Sequence, residues 1–279
     1  MDFLEALHTR VILGDGAMGT LLLGQGVPRE VCLEELCARE PERIQTIHRE
    51  YLGAGAQFVR THSFGANSVR LARFGLERRV GELNWLAART AREAVKGTNA
   101  WVAASVGPTG EASRDFADLV SVFLEQLGGL LDGGAHFVIL ETFTDITELK
   151  AALEAKHSLH HCPVIASMAG TNLHSVDTVF EELRTAGADA VGLNCTTDPE
   201  QTRRALEHVD FTQPVSVFPA SGLPTMSGNR VSYPIPPAQY ATDAAALVKG
   251  GVRVIGGCCG TTPEHIAALA ELLEVPVPK

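Results

Sequence analysis

No apolar run in this sequence approaches the ~18 residues that a membrane-spanning helix requires, so a helical membrane protein is not expected. The opening stretch MDFLEALHTR carries acid where a secretory leader carries base, and no apolar segment follows it. A cytoplasmic location is the expectation. Positive charge is scarce: 23 Lys and Arg stand against 33 Asp and Glu, a net charge of −10. Binding to nucleic acid needs clustered cations to neutralise phosphates, so that class is set aside. Cysteine is also sparse. Six in 279 residues (Cys32, Cys37, Cys162, Cys195, Cys258 and Cys259) make no disulfide framework, and in a reducing compartment they are thiols or metal ligands. Hydrophobic residues are not scarce at 45%, which suits a folded chain with a substantial core.

What fills the chain is a repeated formula of short apolar run, glycine-rich or polar break, and helical stretch. Eight runs qualify as strands: 11–17, 56–64, 100–107, 135–143, 163–170, 188–196, 214–221 and 252–260. They are near-continuously apolar, as parallel strands buried on both faces must be. Helix starts are legible between them. Asp145 with Glu148 suggests a capping box, Asp198-Pro199 an N-cap followed by proline at the first helical position, and Thr262-Pro263 another start. Eight such units without a linker predict a closed (β/α)₈ TIM barrel, α/β in class, as a single domain over 1–279. An open doubly wound sheet is the weaker alternative, since no GxGxxG opens the first helix. Two connectors, 107–118 and 221–238, are long enough to cover a substrate.

In a barrel the chemistry lies at the C-terminal ends of the strands. The sixth strand ends in Asn194-Cys195-Thr196 and the eighth in Cys258-Cys259, so three thiols converge on one rim. Three thiolates suit Zn²⁺ with a fourth position open. Packing as small apolar side chains, or a strained vicinal disulfide, would also place them there. Neighbours on a regular strand point to opposite faces, so Cys258 and Cys259 can share a metal only past the strand end, with Gly256, Gly257 and Gly260 supplying freedom. Asp15 follows the first strand and Glu141 ends the apolar run FVIL. Each must be paired or serve a ligand. An ion pair with Arg60 is the plain alternative for Glu141, and a turn or N-cap for Asp15. His62 at the second strand end is a ligand, a base or a locally satisfied ring. Cys32 and Cys37 are assigned to packing or surface, Cys162 opens the fifth strand at the wrong end of the barrel for the site, and Trp85 and Trp101 are assigned to the core.

The stretches GDGAMGT (14–20), THSFGAN (61–67), SVGPTG (105–110), ETFTD (141–145), GLNCT (192–196) and GGCCGTTPEHI (256–266) resemble the homocysteine S-methyltransferase family. That family includes the homocysteine-binding module of cobalamin-dependent methionine synthase and betaine–homocysteine methyltransferase. The resemblance runs through nearly the whole chain and implies the same barrel. It implies Cys195, Cys258 and Cys259 as zinc ligands, Asp15 and Glu141 as contacts of the amino acid part of homocysteine, and Gly16, Thr61 and Ser63 as further substrate-binding positions. The chain departs from the methionine synthase pattern at His62-Ser63 and at Ala220, where those proteins carry asparagine.

The implied reaction moves a methyl group to the homocysteine thiol, giving methionine. The thiolate is the nucleophile, and metal coordination would deprotonate it. SVGPTG points to a methyl-corrinoid or pterin carrier on a separate protein as donor. S-methylmethionine, S-adenosylmethionine and betaine are the alternative donors, another thiol the alternative acceptor. A non-catalytic zinc-binding subunit is the reading from a different class.

Overall fold

A computed structural model describes residues 2–111, 114–159, 161–170, 176–227 and 230–279. Among the described residues there are ten strands: β1 (Ile12–Leu13), β2 (Phe58–Arg60), β3 (Trp101–Val106), β4 (Phe137–Phe143), β5 (Val164–Ala169), β6 (Ala190–Asn194), β7 (Val215–Phe218), β8 (Thr225–Ser227), β9 (Arg230–Ser232) and β10 (Val254–Ile255). Eight form one parallel sheet in the order β1-β10-β7-β6-β5-β4-β3-β2. A parallel bridge between Gly14 and Phe58 joins its two edges, so the sheet closes into the expected barrel. Strands β8 and β9 form a separate antiparallel hairpin within the 221–238 connector.

The strands are shorter than the apolar runs that announced them. Of 11–17 only Ile12–Leu13 is strand, and of 252–260 only Val254–Ile255. The residues that follow these strands, 15–17 and 256–260, leave the ladder at the rim and build the site.

Alternate side chains divide the core. Outward-facing residues such as Val59, Val102, Val138, Val191 and Val217 pack against the surrounding helices. Inward-facing Phe58, Phe137, Ile139, Ile165 and Val254 fill the barrel with Phe3, Ala6 and Leu7. Those last three belong to the helix Phe3–Thr9, which plugs the bottom; the Phe3 ring stacks on Phe137 with centroids 3.6 Å apart. The helix starts at Asp198-Pro199 and Thr262-Pro263 form as expected. At Ile146–His157 only half of the expected box exists. Asp145 accepts from the Glu148 N–H, but the Glu148 carboxylate turns away to the N–H and hydroxyl of Thr109 at 2.7 and 2.5 Å. Glu148 therefore ties down the connector after β3. Trp85 is also not core: it is 43% exposed under the Arg89 guanidinium.

Candidate metal and substrate site

The site begins where β10 ends. Gly257 N–H donates to the Asp15 carbonyl at 2.9 Å and Cys258 N–H to the Pro219 carbonyl at 2.8 Å, so this segment remains wedged between its neighbours as it turns. Space, more than backbone freedom, demands the first two glycines. A Cβ on Gly256 would lie 2.5 Å from the Phe218 ring, and one on Gly257 would lie 2.3 Å from Thr261 Oγ1. Only Gly260, at φ +80°, uses a left-handed conformation.

Across the rim Cys195 adopts φ +51°, a region that a side chain with a Cβ seldom occupies. Its N–H donates to the Phe218 carbonyl at 2.9 Å, which fixes the turn. Cys195 Sγ lies 3.0 Å from Cys258 Sγ and 3.5 Å from Cys259 Sγ, and all three sulfurs fall within 4.8 Å of one another. Sulfurs bound tetrahedrally to one ion at ~2.3 Å would stand about 3.8 Å apart. The three half-buried free thiols thus form a set that could hold a metal ion. Hydrogen bonds from Cys195 and Cys258 pull the Cys259 pKa below the ordinary thiol value.

Behind the sulfurs lies a buried charge cluster centred on Arg60, the last residue of β2. Its guanidinium donates to Asp15 Oδ1 at 2.8 Å, Glu141 Oε2 at 2.9 Å, the Gly16 carbonyl at 2.9 Å and the Gly257 carbonyl at 2.7 Å. Its backbone N–H donates to Asp15 Oδ2 at 2.8 Å, and its guanidinium carbon lies 4.6 Å over the Phe218 ring. Ser105 completes the cluster by donating to Glu141 Oε1 at 2.6 Å. The ion pair considered for Glu141 is therefore real, and it takes in Asp15 as well, which is neither an N-cap nor a simple turn residue. Burial pushes the Asp15 pKa up, against the opposing pull of Arg60. Burial also opposes the charge on Arg60, but Glu141 and Asp15 outweigh it, so the guanidinium stays protonated.

Asn194, which the sequence placed at the end of the sixth strand without a role, locks the acidic and thiol ends together. Its Oδ1 accepts from the Thr142 N–H at 2.7 Å and its Nδ2 donates to Thr142 Oγ1 at 2.5 Å. Thr142 has φ +64°, so the residue after Glu141 and the residue after Asn194 are both left-handed and are held by one amide. Two buried tyrosines were also missed. Tyr240 donates to the Gly256 carbonyl at 2.7 Å and Tyr51 to the Ala17 carbonyl at 2.6 Å. Nothing local marks these three residues, because each acts on backbone far away in sequence.

Thr61 and Ser63 reach the same rim, but their hydroxyls meet each other at 2.6 Å. Thr61 Oγ1 also accepts from the Ser105 N–H, and Ser63 donates to the Ser105 carbonyl. They stitch β2 to β3. His62 points away, with Nε2 2.7 Å from the Leu33 carbonyl, and burial lowers its pKa. Beside the thiols, Tyr233 packs against Gly260; burial and the neighbouring cysteines push its pKa up to about 12. Tyr233, Gly260, Thr261 and Thr20 line part of a cleft of about 1280 Å³ whose wall begins at the residue after Cys259.

The fold and site define a parallel barrel with three thiols that could hold a metal ion and a buried acid–guanidinium cluster at its C-terminal rim. The sequence profile described as homocysteine S-methyltransferase matches residues 12–273, and the chain belongs to that family. It is 33% identical to the methionine synthase of Mycobacterium tuberculosis and 34% identical to that of Mycobacterium leprae, over 96% of its own length in both cases. It spans only a quarter (25%) of the length of those two relatives. Among solved structures it is similar to the metallated form of the homocysteine methyltransferase MmuM from Escherichia coli. That likeness has a TM-score of 0.79 and 26% identity, covering 95% of this chain and 97% of that one. The apo form of the same enzyme matches with a TM-score of 0.74 and 28% identity, covering 95% and 96%.

Proposed function

We propose that this chain is a zinc-dependent methyltransferase that moves a methyl group to the thiol of homocysteine, forming methionine. The observation that carries the proposal is the convergence of Cys195, Cys258 and Cys259 on one point at the rim, with a buried acidic pair behind them. Bound there, zinc would supply a Lewis acid that keeps the acceptor thiol ionised at neutral pH. The soft, nitrogen-free donor set suits zinc, and three protein ligands leave room for one more.

The protein's own residues do the rest. Two carboxyl groups, Asp15 and Glu141, stand against the single guanidinium of Arg60, an excess of acid that suits an ammonium group. Asp15 and Glu141 orient the amino acid end of homocysteine, with Gly16 alongside, while the acceptor sulfur lies toward the cysteines. Thr61 and Ser63 hold the β2 rim in place beneath it. In the transfer a bond forms between the acceptor sulfur and the methyl carbon as the bond from that carbon to its donor breaks. The thiol proton leaves for solvent when the acceptor binds, so no side-chain base is required.

The donor is a methyl-corrinoid or pterin carrier on a separate protein, approaching through the cleft beside Tyr233. The cleft, at about 1280 Å³, exceeds the usual size of a small-ligand pocket, and the longer methionine synthases are the relatives matched. A second reading, with S-methylmethionine, S-adenosylmethionine or betaine as donor, draws support from the likeness to MmuM over nearly that whole chain. The test is direct. Protein purified under reducing conditions should hold about one zinc per chain and melt at a higher temperature with homocysteine. A panel of donors then separates the two readings. Absence of stoichiometric zinc would overturn the proposal.

A further inference from the structure

Arg60 is a strange residue to find inside a barrel. It ends the buried strand Phe58–Arg60, and its side chain is only 9% exposed. A guanidinium has five N–H groups, and here four are given to protein acceptors on other strand ends. Those acceptors lie 45, 81, 44 and 197 residues away in sequence. Two are the carboxylates assigned to the substrate ammonium. A third is the carbonyl of Gly257, whose next residue is Cys258. The guanidinium also covers the Phe218 ring, and the Phe218 carbonyl holds the Cys195 N–H. One side chain therefore touches the carboxylate end and the backbone that carries the thiol end.

Two carboxylates buried at 3% and 5% exposure repel each other, and without a cation between them they would turn apart or take up a proton. Neither outcome leaves a site for an ammonium. A planar fork can meet both carboxylates and two carbonyls in one plane, whereas a lysine ammonium on a shorter reach cannot. We infer that Arg60 is a positioning residue that sets the site's preference for an amino-bearing thiol: it fixes Asp15 and Glu141 as a paired receptor for the α-ammonium and registers that receptor against the cysteines. The inference rests on the proposed role of the two carboxylates toward homocysteine.

The experiment compares two acceptors on zinc-loaded protein by calorimetry. Homocysteine and 4-mercaptobutanoate share thiol, chain length and carboxylate, and differ in the ammonium alone. The wild-type chain is expected to bind homocysteine at least about tenfold more tightly. In Arg60→Gln that ratio should fall to within about threefold, while the affinity for 4-mercaptobutanoate changes less than about threefold and the zinc content is kept. Arg60→Lys, which preserves the charge but not the fork, should give an intermediate ratio. An unchanged ratio in both variants would overturn the inference. So would failure of both to fold or to hold zinc, which would make Arg60 structural only. A wild-type protein that binds both thiols equally would instead refute the carboxylate reading on which the inference rests. One that binds neither would refute the methyl acceptor itself.

Discussion

Cys195 bears the site's most specific demands at the scale of the residue. It is left-handed, its N–H is tied to Phe218, and its sulfur stands between those of Cys258 and Cys259. Replacing Cys195 with Ser keeps the size but substitutes a hard oxygen for a soft sulfur. The variant should purify with far less than one zinc per chain and should lose methyl transfer, as read by metal analysis and methionine formation. His48 makes a different demand. It is fully buried, neither ring nitrogen has a partner among the described residues, and burial pulls its pKa down from 6.5 to about 3. Below pH 6.5 the unfolded chain binds a proton there that the native chain refuses, so stability falls as the pH drops toward 3. The loss from this residue should reach about 2 kcal/mol between pH 6.5 and pH 5, at ~1.4 kcal/mol per unit. His48→Leu should flatten that part of the curve of melting temperature against pH.

Among the elements, the connectors carry the least obvious restraint. Glu148, on the helix Ile146–His157, accepts both the N–H and the hydroxyl of Thr109 and is 2% exposed. Glu148→Ala would orphan a buried backbone N–H, a loss of about 1–3 kcal/mol. The variant should melt several degrees lower while keeping its zinc, since Glu148 touches no thiol. The eight barrel strands were legible because parallel strands buried on both faces are apolar along their length, a pattern that needs no partner to recognise. The cysteines at the ends of the sixth and eighth runs were legible once that barrel placed them on one rim. Arg60 appeared only as a possible partner for Glu141. Its link to Asp15, to Gly257 and so to the thiol end depends on contacts between residues far apart in the chain, which no local pattern encodes. The one signal was the charge itself, closing an otherwise apolar strand. The helix Phe3–Thr9 was missed because seven residues are too few to display a helical period clearly.

The whole molecule is a barrel filled from below. Phe3 stacks on Phe137 and meets Phe58 and Trp101 edge-on, so the first helix is part of the interior. Phe3→Ala should cost about 3–5 kcal/mol through the cavity it leaves. Denaturant unfolding should show a lower midpoint with the cooperative shape retained.

Closure of the barrel has a consequence for how the chain reaches its native state. Arg60 emerges early in synthesis, Glu141 later, and the Gly257 carbonyl only after β10. A partly assembled sheet that buries β2 before β10 docks would bury a cation short of its acceptors, which is costly. Half-closed forms are thereby penalised, and the final strand, the one that delivers Cys258 and Cys259, completes the solvation of that charge. Ring closure and assembly of the thiol cluster become a single event, so in a nascent chain the three sulfurs come together late and all at once.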